Sequence, residues 1–156
     1  MNSGKKSTKI IHKMQTFLPY PNYIRSVQQL DMKRLGKQRI EAMQIVNILE
    51  GRTTAWQNHP AIKMWVGYTN SLKYYTNCCI DEWVKRGYKN TMIKYDVDHQ
   101  NTDPWWIGDK NFHRAMRARL IEKNENFYGP KFPRDKGFND GKYFWPVNET
   151  KTFRII

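Results

Sequence analysis

Acidic residues are scarce in this chain: 14 Asp and Glu stand against 27 Lys and Arg, giving a formal charge of +13 and a pI near 9.8. An imbalance of this size argues against a polycationic partner and points to an anionic one. Cysteine is scarcer still. Cys78 and Cys79 are the only two and are adjacent, which excludes a C-x-x-C site and gives no framework for structural disulfides. His12, His59, His99 and His113 are scattered without ligand spacing, so neither a bound metal nor an iron–sulfur cluster is expected. Long apolar runs are absent: nothing approaches the ~18 residues of a membrane-spanning helix. The first residues also lack the apolar centre of a signal peptide. These absences lead us to expect an intracellular protein with no membrane partner. No internal repeat, glycine-rich phosphate loop or Ser/His/Asp constellation is visible.

Aromatic residues, by contrast, are plentiful at 14%, so low hydropathy does not mean disorder. Rings among cations favour nucleic acid over a lipid surface, because bases stack on rings. At 156 residues the chain is long enough for one real core. Residues 1–13, MNSGKKSTKIIHK, carry Lys5, Lys6, Lys9 and Lys13 with no acid and read as a basic, flexible arm. Residues 14–156 read as a single all-α domain with long irregular connections, expected to be monomeric. Pro19 and Pro21 in FLPYP forbid a helix interior and predict an extended, aromatic strap.

The first long helix is predicted from a capping box at Ser26 and Gln29 to about Glu50, stopped by Gly51. Ala42, Ile45, Val46 and Leu49 recur at helical spacing and face a core, while Arg34, Lys37, Gln38 and Glu41 fall at i, i+3, i+4 and i+7 on another stripe. One carboxylate among cations is expected to stay ionised at neutral pH. Two readings of the stripe stay open: a phosphate-binding face on which Glu41 has chemical work, or a solvated face on which it pairs with Lys37. Gly36 either bends this helix or admits a close neighbour.

Asn58 is predicted to cap a short helix with Pro60 in its first turn. A longer helix follows from Thr69 or Asn70, with Leu72, Tyr75, Cys79 and Trp83 buried and Gly87 as its C-terminal cap. Asp109 caps the last long helix, where Phe112, Met116 and Leu120 form the buried edge and Lys110, His113, Arg114 and Arg117 a basic one, with Arg119 and Lys123 beside it. The tail beyond Asn126 interleaves rings and cations; it either wraps the core or stacks on bases.

Three stretches together resemble the pyrimidine-dimer DNA glycosylases of the phage endonuclease V type: LDMKRLGKQRIEA, HPAIKMWVGY followed by SLKYYTNCCIDEWVKRGY, and HRAMRARLIEKNENFYGP. With MQTFLPYP, NHPAIKMW and YFWP, the chain looks closer still to a bacterial and viral branch. The resemblance implies a compact, cofactor-free helical fold that binds double-stranded DNA, cuts the glycosidic bond at an ultraviolet photodimer and nicks the strand by β-elimination. In that family the nucleophile is the α-amine of the mature N-terminus. Such an amine has a pKa of ~7.7 to 8.0 against ~10.4 for lysine, so far more of it is neutral at pH 7. The catalytic glutamate matches Glu41. Arg119 and Lys123 match DNA-contacting residues, and Arg34, Lys37, Arg39 and Arg117 are placed to grip phosphates. His59 matches a histidine near the DNA, or simply caps the next helix. The α-amine requires a start near Met14, which here follows the 13-residue arm; Lys13, Lys33 and Lys37 are the alternative amines. A DNA-binding or packaging protein that keeps the fold without the cut is the competing expectation.

Overall fold

The computed structural model describes residues 14–54, 56–98 and 102–156; the basic arm read at residues 1–13 lies outside them. The described elements run α1 (Tyr23–Gln28), α2 (Met32–Leu49), α3 (Pro60–Lys63), α4 (Thr69–Lys85), α5 (Lys110–Lys123), α6 (Glu125–Tyr128), a 3₁₀ turn (Phe138–Gly141), β1 (Phe144–Val147) and β2 (Thr152–Ile155). The fold is compact and mostly helical, as the sequence predicted. The antiparallel β1–β2 ribbon, the short α6 and the 3₁₀ turn are additions to the elements expected from the sequence. Pro146 sits in β1 opposite Phe153, which a two-stranded ribbon tolerates because both of its strands are edges.

The predicted first helix is two helices. Asn22 caps α1 by accepting from the Arg25 amide at 2.8 Å. Ser26 is buried inside α1 and exchanges hydrogen bonds with the Tyr20 backbone, accepting at 3.0 Å and donating at 2.8 Å, so it is a fastener of the preceding turn and not a cap. Asp31 occupies the cap position of α2, but its carboxylate is taken by Arg34 and by the Tyr128 hydroxyl. One residue also separates prediction from structure at α3, where His59 and not Asn58 accepts the Ala61 amide, at 3.0 Å. The start of α4 at Thr69 is as predicted, and of its stripe Leu72, Tyr75 and Cys79 are fully buried while Trp83 is only partly buried against the core. Asp109 caps α5 through the Phe112 amide.

Helices α2 and α4 form the main packing pair, with α1 crossing α4. Gly36 permits the approach: a Cβ there would lie 3.0 Å from the Trp83 ring. Trp65, Trp106, Phe112, Tyr128 and Phe132 carry the core across to α5 and the tail, so the tail wraps the core with many of its rings. Asn148 pins the ribbon to α3, donating to the carbonyls of Lys63, Met64 and Val66 and accepting from Trp105 Nε1 at 2.8 Å.

The strap that leads into α1 is the feature that positions the site. Residues Met14 to Leu18 are buried and belong to no helix or strand, and among the described residues no strand pairs with them. A buried backbone must still satisfy its polar groups, and here side chains do so in order along the segment. Gln15 O accepts from Gln38, Phe17 O from Tyr75, Leu18 O is bonded to His113, and Pro19 O accepts from Arg117. The strap is thus held to α2, α4 and α5 at once.

Candidate active-site cleft

The cleft lies where the strap crosses α2. A volume of about 180 Å³ is lined by Gln15 and Phe17 of the strap, Lys33, Arg34, Lys37, Gln38 and Glu41 of α2, and Lys123 of α5. All four members of the predicted stripe are there, because helical spacing puts them on one face. Lys33, Lys37 and Lys123 are exposed, whereas Gln38 is buried and Glu41 half-buried. Arg34 is anchored rather than free, bonded to Asp31 at 3.2 Å and to the Lys123 carbonyl at 3.3 Å, and so ties α2 to the end of α5.

The Glu41 carboxylate accepts from Gln38 Nε2 at 3.1 Å and from the backbone N–H of Gln15. The expectation that neighbouring cations keep it ionised is corrected by its surroundings. Burial pushes the carboxyl up to about 7; Lys37, the Gln15 N–H and Lys123 act in the opposite direction but do not outweigh it. The reason is placement: cations at a cleft rim are screened by water, while the carboxylate itself has lost much of its hydration. An acid balanced near neutrality is suited to give or take a proton, or to support a developing positive charge. The Lys37 ion pair that would have made Glu41 an ordinary surface residue is not formed.

The other predicted site residues divide. Lys37 and Lys123 flank Glu41. Arg39 points elsewhere on α2, lying over the Trp83 ring at 4.4 Å and donating to Asn90 at 2.6 Å. Arg117 donates to Asp135 and to Pro19 O, both at 2.7 Å. Arg119 lies 3.8 Å from the Tyr143 ring and donates to Glu122 and Gly141 O, clasping the tail. His59 caps α3 and meets Trp145 edge-on. Met14 is buried in the core at the start of the described strap, one residue before the N–H that bonds Glu41.

His113 does not lie on a basic edge. It is buried, with Gly108 N–H donating to Nε2 at 2.9 Å and Nδ1 bonded to Leu18 O at 2.8 Å. With Nε2 an acceptor, Nδ1 carries the proton and donates; burial lowers its pKa further, so the ring is neutral. Sequence reasoning also missed what Gln38 and Tyr75 do around the strap. The available signal was position: Gln38 belongs to the stripe and also lies one turn before Ala42 of the core face.

Where the strap crosses α2, a carboxylate balanced near neutrality thus stands in a lysine-rimmed cleft. The family model described as pyrimidine dimer DNA glycosylase matches residues 14–96, and the chain belongs to that family of DNA repair glycosylases. That span contains the strap, α2 and Glu41. No curated protein and no solved structure matches the chain.

Proposed function

We propose that the protein excises ultraviolet pyrimidine dimers from double-stranded DNA and nicks the strand through an amine Schiff base, with the reaction centred on Glu41. The observation that carries this reading is the juxtaposition at the strap: Glu41 accepts from the Gln15 N–H, so the nitrogen of Met14 belongs to the adjoining residue. An α-amine there would enter the cleft beside the carboxylate. It would attack the anomeric carbon as the base departs, and the carboxylate would support the cationic sugar and then move protons in the β-elimination. Neither step needs a cofactor or a metal.

A second reading keeps the cleft and changes the amine. Lys33 and Lys37 line the same cavity as Glu41, so the amine of either lysine could serve as the nucleophile in place of the α-amine. Incubation with a duplex carrying one photodimer tests the proposal: damage-dependent nicking is expected, and a protein that binds this duplex without ever cutting it would be a DNA-binding module on the same fold.

We assign the phosphate contacts chiefly to Lys37 and Lys123, which line the cleft and project as exposed cations. Arg34, Arg39, Arg117, Arg119 and His59 would act from positions already anchored in the fold. Each true phosphate contact contributes about 0.9 to the slope of log affinity against log salt, so replacing Lys37 and Lys123 together by Ala lowers the slope by roughly 1.8. A salt titration of duplex binding measures this; an unchanged slope places both lysines away from DNA.

A further inference from the structure

Gln38 is the most completely bonded polar side chain in the cleft. Its Nε2 donates to the Glu41 carboxylate at 3.1 Å and to Gln15 O at 2.8 Å. Its Oε1 accepts from the Phe17 N–H at 2.9 Å and from the Tyr75 hydroxyl at 2.6 Å. A carboxamide has two donor hydrogens and two acceptor lone pairs, and all of them are used here. The orientation is therefore unique: a flipped amide would face its oxygen to a carboxylate and a carbonyl, and its NH₂ to a peptide N–H. The side chain is 1% exposed, so water offers no substitute partners. Tyr75, fully buried in α4, shares its single hydroxyl hydrogen between Gln38 Oε1 at 2.6 Å and Phe17 O at 2.9 Å, fixing strap and amide from the side opposite Glu41.

We propose that Gln38 is a positioning residue of the reaction centre, whose locked carboxamide sets the Glu41 carboxylate and the strap residues Gln15 to Phe17 in one fixed geometry. The inference rests on the function proposed above. Its consequence is that carboxylate and amine are placed by a single side chain. Phe17 N and Gln15 O bind the two ends of the same amide that binds Glu41, so the strap cannot slide along α2 without breaking bonds at both ends. Small misplacements of reacting groups cost large factors in rate, and a shape-only role for a glutamine does not require four directed bonds.

The groups around Glu41 make the test specific. Lys37 and Gln38 face it from its own helix, Tyr75 stands behind Gln38 in α4, the Gln15 N–H reaches it from the strap, and Lys123 acts on it from α5. Lys33 and Arg34 complete the lining. Among the described residues, only Gln38 and the Gln15 N–H touch the carboxylate through neutral donors, and Gln38 controls the position of both.

Two variants separate positioning from folding. Gln38→Met removes every donor and acceptor at nearly constant length, and Gln38→Asn keeps the amide but is one methylene too short to span from Tyr75 to Glu41. The titration midpoint of the Glu41 carboxyl, followed by carbon-detected NMR on the full chain, is expected to rise from about 7 in both variants, because the ionised form loses hydrogen-bond donors. Single-turnover nicking of dimer DNA at saturating protein is expected to fall by roughly tenfold or more at pH 7, with the loss shrinking as pH rises and with duplex affinity within about threefold. A purely structural role would lower the melting temperature and leave the Glu41 midpoint in place. An unshifted midpoint in the folded Asn variant overturns the proposal, as does a shifted midpoint with unchanged nicking. If the unmodified protein never nicks or traps, the functional reading fails separately, and the Glu41 midpoint alone decides whether Gln38 sets the carboxylate.

Discussion

Replacing Glu41 by Gln abolishes strand cleavage at a photodimer while duplex affinity stays within a few-fold of the original. Glutamine keeps the shape of the side chain and its amide oxygen can still accept from Gln38, while Gln38 holds Gln15 O and the Phe17 N–H independently of Glu41, so the strap remains in register. What is lost is the charge and the exchangeable proton. Removing an electrostatic stabiliser or an acid–base group costs about 10² to 10⁴ in rate, and here one carboxyl is asked to serve both tasks, which places the loss at the upper end of that range. Binding does not suffer in parallel, because deleting a negative charge from a cleft rimmed by Lys33, Lys37 and Lys123 removes repulsion against phosphate. Single-turnover nicking beside a direct binding titration measures the split. Cleavage at the original rate would reduce Glu41 to a buried acid with no chemical role.

The same substitution should stabilise the protein at alkaline pH. The folded state holds the Glu41 proton more tightly than the unfolded chain, with a carboxyl pKa of about 7 against 4.5. Folded molecules therefore bind more protons between those values. The contribution of this group is fully present below 4.5 and is lost as pH rises through about 7. Above pH 8 the ionised, partly buried carboxylate penalises the native state, and Gln carries no such penalty. Converting the shift and allowing for the residual exposure of the group gives about 2 to 3 kcal/mol in favour of Glu41→Gln at pH 8 to 9. At pH 4 the two proteins should be nearly equal. Urea denaturation across that range reads the difference, and parallel stability curves would mean that Glu41 is solvated. Together with the loss of cleavage, a gain in stability identifies Glu41 as a residue kept at a thermodynamic cost for its chemistry.

What the sequence made legible follows from which features are local. Helix α4 was readable because Leu72, Tyr75 and Cys79 repeat at helical spacing and Gly87, at φ 88°, closes it. The stripe of Arg34, Lys37, Gln38 and Glu41 was readable for the same reason, and it reached the cleft intact. The protonation of Glu41 was not, because burial is a property of the strap laid across α2 and not of the residues beside Glu41 in the chain. Ser26 was misplaced as a cap because its partner, Tyr20, precedes it across the Pro19–Pro21 turn, where capping rules look forward. His113 shared a helical edge with Lys110 and Arg114, but the strap carbonyl of Leu18, 95 residues away, draws it inward. Arg117 and Arg119 carry charge that reads as a DNA contact, yet Asp135, Pro19 O and Gly141 O engage them within the fold. The ribbon was missed because Pro146 interrupts the strand pattern and both strands are short.

Borohydride trapping tests the central claim, that an amine delivered to the Glu41 cleft attacks the sugar, most directly. The full chain and a form begun at Met14 are each incubated with a duplex bearing one abasic site, reduced, digested and mapped by mass. We expect a reduction-dependent covalent adduct, carried in the form begun at Met14 by the α-amine of that residue, and lost in a chain whose terminal amine is acetylated. An adduct on Lys33 or Lys37 would move the nucleophile within the same cleft. The absence of any adduct from both forms, under conditions where each binds the duplex, would contradict the account.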